Sequence, residues 1–347
     1  MTRNRRRPTA IDLFSGAGGV TAGLKQAGYR VLGAVELDEL AFNAYKLNHP
    51  RTKVWRRDIR YLPAATIKRD ARLRKGQLDL LVACPPCQGF SAIRTRNGVR
   101  RNRDPQKDLI FDVLRMARVL KPKVVLLENV PGLARDRRYA AFRAALARMN
   151  YRVSYRVLDA AEFGVPQRRK RLVLVATRFR NPLFATPARS RPTVRTAFAK
   201  LSRSRAQRDE LHNYSSARGD RVTKLIRRIP KDGGTRAALG KDAQLKCHTR
   251  IDGFRDVYGR MAWDRPAPTI TCGCINPSKG RFLHPTKNRA ITLREAAILQ
   301  SFPVDYQFPL DRGRYAVAAM IGNALPPEFI RRQALALSSA QVFRRAT

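Results

Sequence analysis

Short apolar runs that end in a glycine or a carboxylate alternate with amphipathic stretches through the first half of the chain. Ala10 to Phe14 has the pattern of a buried strand and runs into Ser15-Gly16-Ala17-Gly18-Gly19. Helical spacing follows from Val20 to Ala27 and is stopped by Gly28. Arg30 to Val35 predicts a second strand ending in Glu36-Leu37-Asp38, with Asp38 placed to cap a helix over Glu39 to Asn48. Val54 to Asp58 predicts a third strand. Leu78 to Val82 predicts a fourth, bounded by the turn-rich stretch Ala83-Cys84-Pro85-Pro86-Cys87-Gln88-Gly89-Phe90-Ser91. Residues 106 to 120 put Leu109, Ile110, Val113, Leu114 and Ala117 on one helical face, and Lys121-Pro122 stops the helix. Val124 to Leu127 predicts another strand, delivering Glu128-Asn129-Val130-Pro131-Gly132. A helix over Arg137 to Met149 and strands over Arg152 to Leu158 and Leu172 to Ala176 complete the series. This alternation predicts an α/β fold with a largely parallel sheet, in which ligands bind beyond the strand ends.

The pattern changes near residue 180. From 180 to 285 the chain is rich in Pro, Ser, Thr, Arg and Gly, with short apolar pieces and no long helix. This predicts a second, smaller, irregular domain over 180–285, the first comprising 1–179 with 286–347. Order returns at Thr292 to Ser301, a helix with Thr292 and Glu295 spaced as a capping box. Gly322-Asn323-Ala324-Leu325-Pro326-Pro327 is expected to open a final helix from Glu328 to about Val342.

Composition narrows the class. The 347 residues carry a formal net charge of +45, from 71 Lys and Arg against 26 Asp and Glu. A field of that size favours a polyanionic partner, nucleic acid foremost, although arginine is spread through the whole chain and not gathered in one tail. No apolar run of about 18 residues is present, so no membrane span is expected. The basic start, Met1 to Pro8, lacks the apolar segment of a signal peptide. Five cysteines, a low and odd number, argue for a reducing, cytoplasmic compartment and against a disulfide framework.

Several stretches carry candidate chemistry. The turn after the first strand lacks the Lys-Ser/Thr ending of a phosphate-binding loop and does not match Gly-x-Gly-x-x-Gly, since position 21 is Thr. Glu36, about 20 residues after the glycines, stands where such folds bind ribose hydroxyls, or is a solvated strand end. Asp58 is placed to accept from an adenine amino group. Cys87, in a loop beyond a strand, is a nucleophile, half of a redox pair with Cys84, a metal ligand or a small core residue. Parallel strands would bring Cys87 and Glu128 to one edge. Gln167-Arg168-Arg169-Lys170-Arg171 is a solvated charge run or, because it leads into an apolar strand, a row whose alternate arginines point into a cleft and onto phosphate. Cys247-His248 and Cys272-x-Cys274 fit no standard zinc spacing, so no metal is expected.

Taken in order, these stretches resemble the motifs of the DNA (cytosine-5)-methyltransferase family. Asp12 to Gly19 is similar to its cofactor loop, Pro85 to Ser91 to its nucleophile loop, and Glu128-Asn129-Val130 to its catalytic carboxylate motif. Gln167-x-Arg169-x-Arg171 is similar to its Gln-x-Arg-x-Arg motif. Arg294 to Ala297 with Leu299 to Pro303 resembles the motif after its target-recognition domain, and Gly322 to Pro327 its final cofactor motif. The resemblance implies a Rossmann-like S-adenosylmethionine-dependent sheet with 180–285 as the target-recognition domain. It implies a covalent role for Cys87, proton or hydrogen-bond work on a flipped-out cytosine for Glu128, base or phosphate contact for Arg169, and support of the site by Gln167 and Arg171. It places S-adenosylmethionine against Phe14, Ser15, Gly16, Gly18, Gly19, Glu36, Leu37, Asp58, Ile59, Pro86, Leu109, Asn323 and Ala324. Leu37 departs from the aromatic that often follows the ribose carboxylate, and Cys84 stands where many relatives have glycine. The implied partners are double-stranded DNA and a cognate restriction endonuclease, with the enzyme a monomer. RNA cytosine methylation and a non-catalytic nucleic-acid-binding protein are the alternatives. The long segment before Thr292 favours DNA, and the presence of both Cys87 and Glu128 favours an enzyme.

Overall fold

The computed structural model describes residues 6–74, 76–86, 108–204, 208–214, 218–240, 256–339 and 343. Cys87, the rest of the loop after it, and Cys247-His248 lie outside the described residues. Contacts divide the chain into two compact units. One comprises Met1–Phe163, Lys170–Pro187 and Leu325–Thr347; the other comprises Gly164–Arg169 and Ala188–Ala324.

The first unit is built on a seven-stranded sheet. Its strands are β1 (Thr9–Leu13), β2 (Arg30–Glu36), β3 (Lys53–Arg56), β4 (Leu80–Ala83), β5 (Val124–Asn129), β6 (Arg152–Asp159) and β7 (Lys170–Thr177), in the order β3-β2-β1-β4-β5-β7-β6. The pairs β3–β2, β2–β1, β1–β4 and β4–β5 are parallel, whereas β7 runs antiparallel to both β5 and β6. Every residue of β1, β4 and β5 is buried, as expected of strands covered on both faces. Beside them lie α1 (Gly19–Gln26), α2 (Glu39–Asn48), α3 (Ala64–Asp70), α4 (Leu109–Leu120) and α5 (Arg137–Arg148). The Asp38 carboxylate accepts from the Ala41 N–H and caps α2, as its sequence position indicates. The helix α3 was not legible: its apolar face, carried by Ala64 and Ile67, is too short to set a period.

The second unit holds α6 (Val194–Ser202), α7 (Asp220–Arg228), α8 (Leu293–Leu299) and α9 (Gly313–Asn323). It extends further than the expected 180–285, because α6 and α8 pack together and α9 packs on α8. The expected capping box is present: Thr292 Oγ1 accepts from the Glu295 N–H, and the Glu295 carboxylate accepts from the Thr292 N–H at 2.8 Å. Residues 322–323 close α9 and do not open the last helix, which is α10 (Pro327–Ser339) of the first unit. The apolar residues Val317, Ala318 and Ile321 extend the helical pattern back to Gly313.

Candidate active site

In the first unit β2, β1, β4 and β5 lie side by side and parallel. Their C-terminal ends therefore share one edge. Strand order reverses between β1 and β4, the point where open α/β sheets bind ligands.

The turn after β1 is held open by its backbone. Phe14 takes φ 61°, and Gly16 and Gly18 take φ 53° and 94°, a region that costs a side chain about 1 kcal/mol or more and glycine almost nothing. A Cβ on Gly16 would meet no atom within 4 Å, so the turn borders open space there. Glu36 binds this turn from β2. Its carboxylate accepts from the Gly16 N–H at 2.7 Å and from the Leu37 and Asp38 N–H groups at 2.8 Å. Burial raises its pKa, against the pull of these backbone donors. Beyond it Leu37 is exposed.

Two polar atoms of this turn find no partner among the described residues: Ser15 Oγ and Asp12 Oδ1, both buried. The other Asp12 oxygen accepts from Thr21 Oγ1 at 2.8 Å, and Thr21 is 2.9 Å from the Tyr45 hydroxyl. Burial, opposed by the Thr21 bond and aided by the nearby Glu36 charge, pushes the Asp12 pKa up to about 7. On the far side of the turn His49 Nε2 lies 3.2 Å from the Gly18 carbonyl, and its Nδ1 is 3.3 Å from Lys25 Nζ. An ammonium only donates, so Nδ1 accepts and Nε2 carries the proton given to Gly18. Burial, then the Lys25 charge, lowers the His49 pKa to about 4. Asp12 opens the stretch similar to the cofactor loop but was given no role of its own there, and Thr21 and His49 are absent from the sequence-based site; His49 carried no signal.

Asp58 caps the turn Ile59–Tyr61 through the Arg60 N–H and pairs with the Arg60 guanidinium, which holds its pKa below the ordinary value. Ile59 is buried, and Arg115 of α4 donates to the carbonyls of Ile59 and Leu62. Leu109 is buried at the start of the same helix.

An ion pair joins β5 and β7. Because β7 is antiparallel to β5, Leu172 faces Asn129 and Val173 faces Glu128, and the beginning of β7 lies beside the end of β5. Arg171 Nε thereby reaches Glu128 Oε1 at 2.7 Å. Glu128 is 8% exposed, so its charge needs this partner. Asn129 Nδ2 donates to the Pro85 carbonyl at 3.0 Å, fixing the start of the cysteine loop, and Pro86 is exposed beyond it. The Cys84 thiol donates to Glu128, and burial together with the Glu128 and Asp12 charges pushes its pKa well up. This environment favours the thiol form of Cys84 over the thiolate that a nucleophile needs.

The first half of the Gln-x-Arg-x-Arg motif belongs to the second unit. Gln167 is fully buried; its amide donates to the Leu299 carbonyl and Gln300 Oε1, and its Oε1 accepts from the Ile270 N–H. Arg169 is 4% exposed and donates to the carbonyls of Ile270 and Gly322, each at 2.9 Å. Two of the Arg169 donors thus serve backbone carbonyls, and the exposed cations of the run are Arg168 and Lys170. Gln300 donates to the Ile321 carbonyl, and Cys272 Sγ lies 3.0 Å from Asn323 Oδ1. Gly322 is glycine because a Cβ there would come within 2.3 Å of the Thr271–Cys272 backbone. Asn323 and Ala324 are the last residue and the cap of α9. Among the described residues no three metal-ligating side chains gather, and no helix is long and apolar enough to cross a membrane.

The chain as a whole is similar to known proteins. The family profile described as C-5 cytosine-specific DNA methylase matches residues 9–339. The type II methylase M.HgiDII of Herpetosiphon aurantiacus is 34% identical over 91% of this chain and 91% of its own. The type II methyltransferase M.XorII of Xanthomonas oryzae pv. oryzae is 31% identical over 94% and 83%. Among solved structures, one described as a DNA modification methyltransferase encoded within an E. coli prophage superposes with a TM-score of 0.67 at 24% identity, covering 96% of this chain and 99% of that one. The S. pombe Dnmt2 methyltransferase gives 0.62 at 18%, over 97% and 100%; these two likenesses speak for the fold.

Proposed function

Because the chain belongs to the C-5 cytosine-specific DNA methylase family, we propose that it methylates carbon 5 of a cytosine in a specific DNA sequence through a covalent adduct on Cys87. It is a DNA cytosine-5 methyltransferase of the restriction-modification type. The adduct, base flipping and the residue roles are our reading. The observation that carries it is the buried Glu128, oriented by Arg171 and placed beside the anchored start of the Cys87 loop.

Carbon 5 of cytosine is a weak nucleophile. The Cys87 thiolate forms a bond to carbon 6, and the electron pair of the 5,6 double bond becomes available at carbon 5. Glu128 holds the ring nitrogen and exocyclic amine, where charge develops. Carbon 5 takes the methyl group. Loss of its proton then returns the electrons, the carbon–sulfur bond breaks and the thiolate is restored. The target must leave the base stack for this to happen.

S-adenosylmethionine would supply the methyl group as an electrophilic sulfonium, its methyl–sulfur bond breaking to leave a neutral thioether. The residues at the β1 and β2 ends fit it. The turn has no lysine for phosphates, its glycines keep Cβ atoms out of the open space, and Ser15 Oγ and Asp12 Oδ1 are buried donor and acceptor atoms in need of partners. Glu36 would hold ribose, Phe14, Leu37, Ile59, Pro86 and Leu109 the apolar surfaces, and Asp58 the adenine edge. Sequence choice is assigned to the second unit, which holds most of 180–285. The resemblance also assigns a cognate endonuclease as a cellular partner.

DNA carrying 5-fluorocytosine in the recognised site tests the proposal, since fluorine blocks the last elimination. Wild type and Cys84→Ser should form a complex that survives denaturing electrophoresis, and Cys87→Ser should form none. Equal trapping by Cys87→Ser would overturn the assignment.

A further inference from the structure

We propose that α7 of the second unit docks on the sugar–phosphate backbone of the substrate duplex, with Arg221, Lys224 and Arg228 as its phosphate contacts. The proposal rests on the DNA-methylating function above and names a surface that this function alone does not specify.

The helix has two opposed faces. Val222, Leu225 and Ile226, with Ile229 just beyond, pack on Leu239, Tyr258 and Leu283. At 100° per residue, Arg221, Lys224 and Arg228 fall within about 60° of one another on the other side, and Arg227 lies next to them. All four are exposed. None takes part in an ion pair or hydrogen bond among the described residues, and Asp220 is the one acid of the helix, in its first turn. Basic residues elsewhere do find acids: the half-buried Arg331 and Arg332 share Glu328, and the exposed Arg56 and Arg195 meet Glu39 and Asp264. With 26 acidic residues for 71 basic ones, carboxylates are scarce, and among the described residues Asp220 is the one acid on this helix.

A nine-residue helix is marginal by itself. This one is fixed at its C-terminal end by Arg260, which is fully buried. Arg260 donates to the carbonyls of Ile226 and Ile229, to those of His284 and Lys287, and to Asn288 Oδ1. Among the described residues no carboxylate meets it there, so its positive charge faces the negative end of the helix. The outward cations are thus carried on a braced support. From Arg221 to Arg228 the axis spans about 10 Å, the axial length of about three phosphates on one strand. A polyanion with that repeat is the occupant this face fits. Contacts of this kind position a duplex without reading its sequence.

The test is the salt dependence of DNA binding. Anisotropy of a labelled duplex would be followed across a potassium chloride series for the full-length wild type, for R221Q/K224Q/R228Q, and for R118Q/K121Q/R148Q. The last set consists of exposed cations of the first unit, chosen to leave its site untouched. Each lost phosphate contact removes about 0.9 from the slope of log K against log salt. The α7 variant should lose roughly 2 to 3 and the control less than 1, with equal melting temperatures. R221K/R228K should restore the slope. Bisulfite sequencing with the same preparations should show the same methylated sequence, at a lower rate for the α7 variant. A slope change no larger than the control's, or a changed target sequence, would overturn the phosphate role. Absence of methylation by the wild type would overturn the function itself, independently of the slope.

Discussion

Arg169 and Arg171 are two residues apart on one motif, and their guanidinium groups meet opposite environments. Arg171, in the sheet unit, faces the Glu128 carboxylate. Arg169, in the other unit, is buried against two backbone carbonyls, of Ile270 and Gly322. The first arrangement is an ion pair in which one charge justifies the other. The second is a brace: fixed partial charges accept from a cation and ask nothing further of it. A charge pattern in sequence does not separate these roles; the partner's chemistry does.

The largest expected effect comes from taking the cation from the pair. Arg171→Met leaves Glu128 buried and unpaired and should cost about 3–5 kcal/mol in denaturant unfolding. The double variant Glu128→Gln/Arg171→Met should recover much of that loss, although it will not methylate. Additive losses would show that the two side chains act separately.

The brace predicts a different outcome. Arg169→Met strands two buried carbonyls and should cost about 1–3 kcal/mol, measured in the same way. Because these donors serve backbone carbonyls and not Glu128, Glu128→Gln should not lessen the cost. Arg169→Lys should recover only part of it, since an ammonium lacks the planar fork that spans two acceptors.

Asp12 sharpens the comparison, being a buried carboxylate at the same sheet edge with a hydroxyl in place of an arginine. Its folded pKa, about 7, lies above the ordinary value of 3.8. The folded state therefore holds a proton that the unfolded state has released. The associated stability is complete below about pH 4 and is lost as pH rises through 7. His49 and His284 have folded pKa values lowered to about 4, so they contribute in the opposite sense: their stability is present above about 6.5 and is lost as pH falls through 4. The wild-type curve of melting temperature against pH should be flattened by this opposition. Asp12→Asn should uncover it, gaining roughly 1–2 kcal/mol relative to wild type between pH 5.5 and 7. A constant difference over that range would place the Asp12 pKa elsewhere.

The sheet was legible because its strands are apolar on both faces and are ended by glycine or a carboxylate. Asp38 and Thr292 were legible as caps because a helix start leaves N–H groups that short polar side chains satisfy. Glu36 and Glu128 stood out as acids at strand ends. The residues that escaped do their work by long-range contact. Arg260 looks like any other arginine until five acceptors are found around it. Gly322 looked like a helix start, and only the backbone of Thr271 and Cys272 reveals a helix end pressed flat. His49 needed Lys25 and Gly18 to define its proton. The antiparallel entry of β7, which delivers Arg171 to Glu128, is a matter of strand order and has no local signature.

The helix α10 packs along α1, and the Tyr29 hydroxyl donates to the Ala334 carbonyl across 305 positions of the sequence. Phe329 of α10 also meets Phe163 edge to face. The helix α1 leaves the ribosome long before residues 327–339 and lacks its cover until they have followed. Pairing over such separations makes folding slow, and the nascent β1–α1–β2 unit must wait with apolar surface uncovered. A chain that stopped short of α10 would be expected to aggregate or be degraded, so protein synthesis itself would screen out shortened copies of a DNA-modifying enzyme.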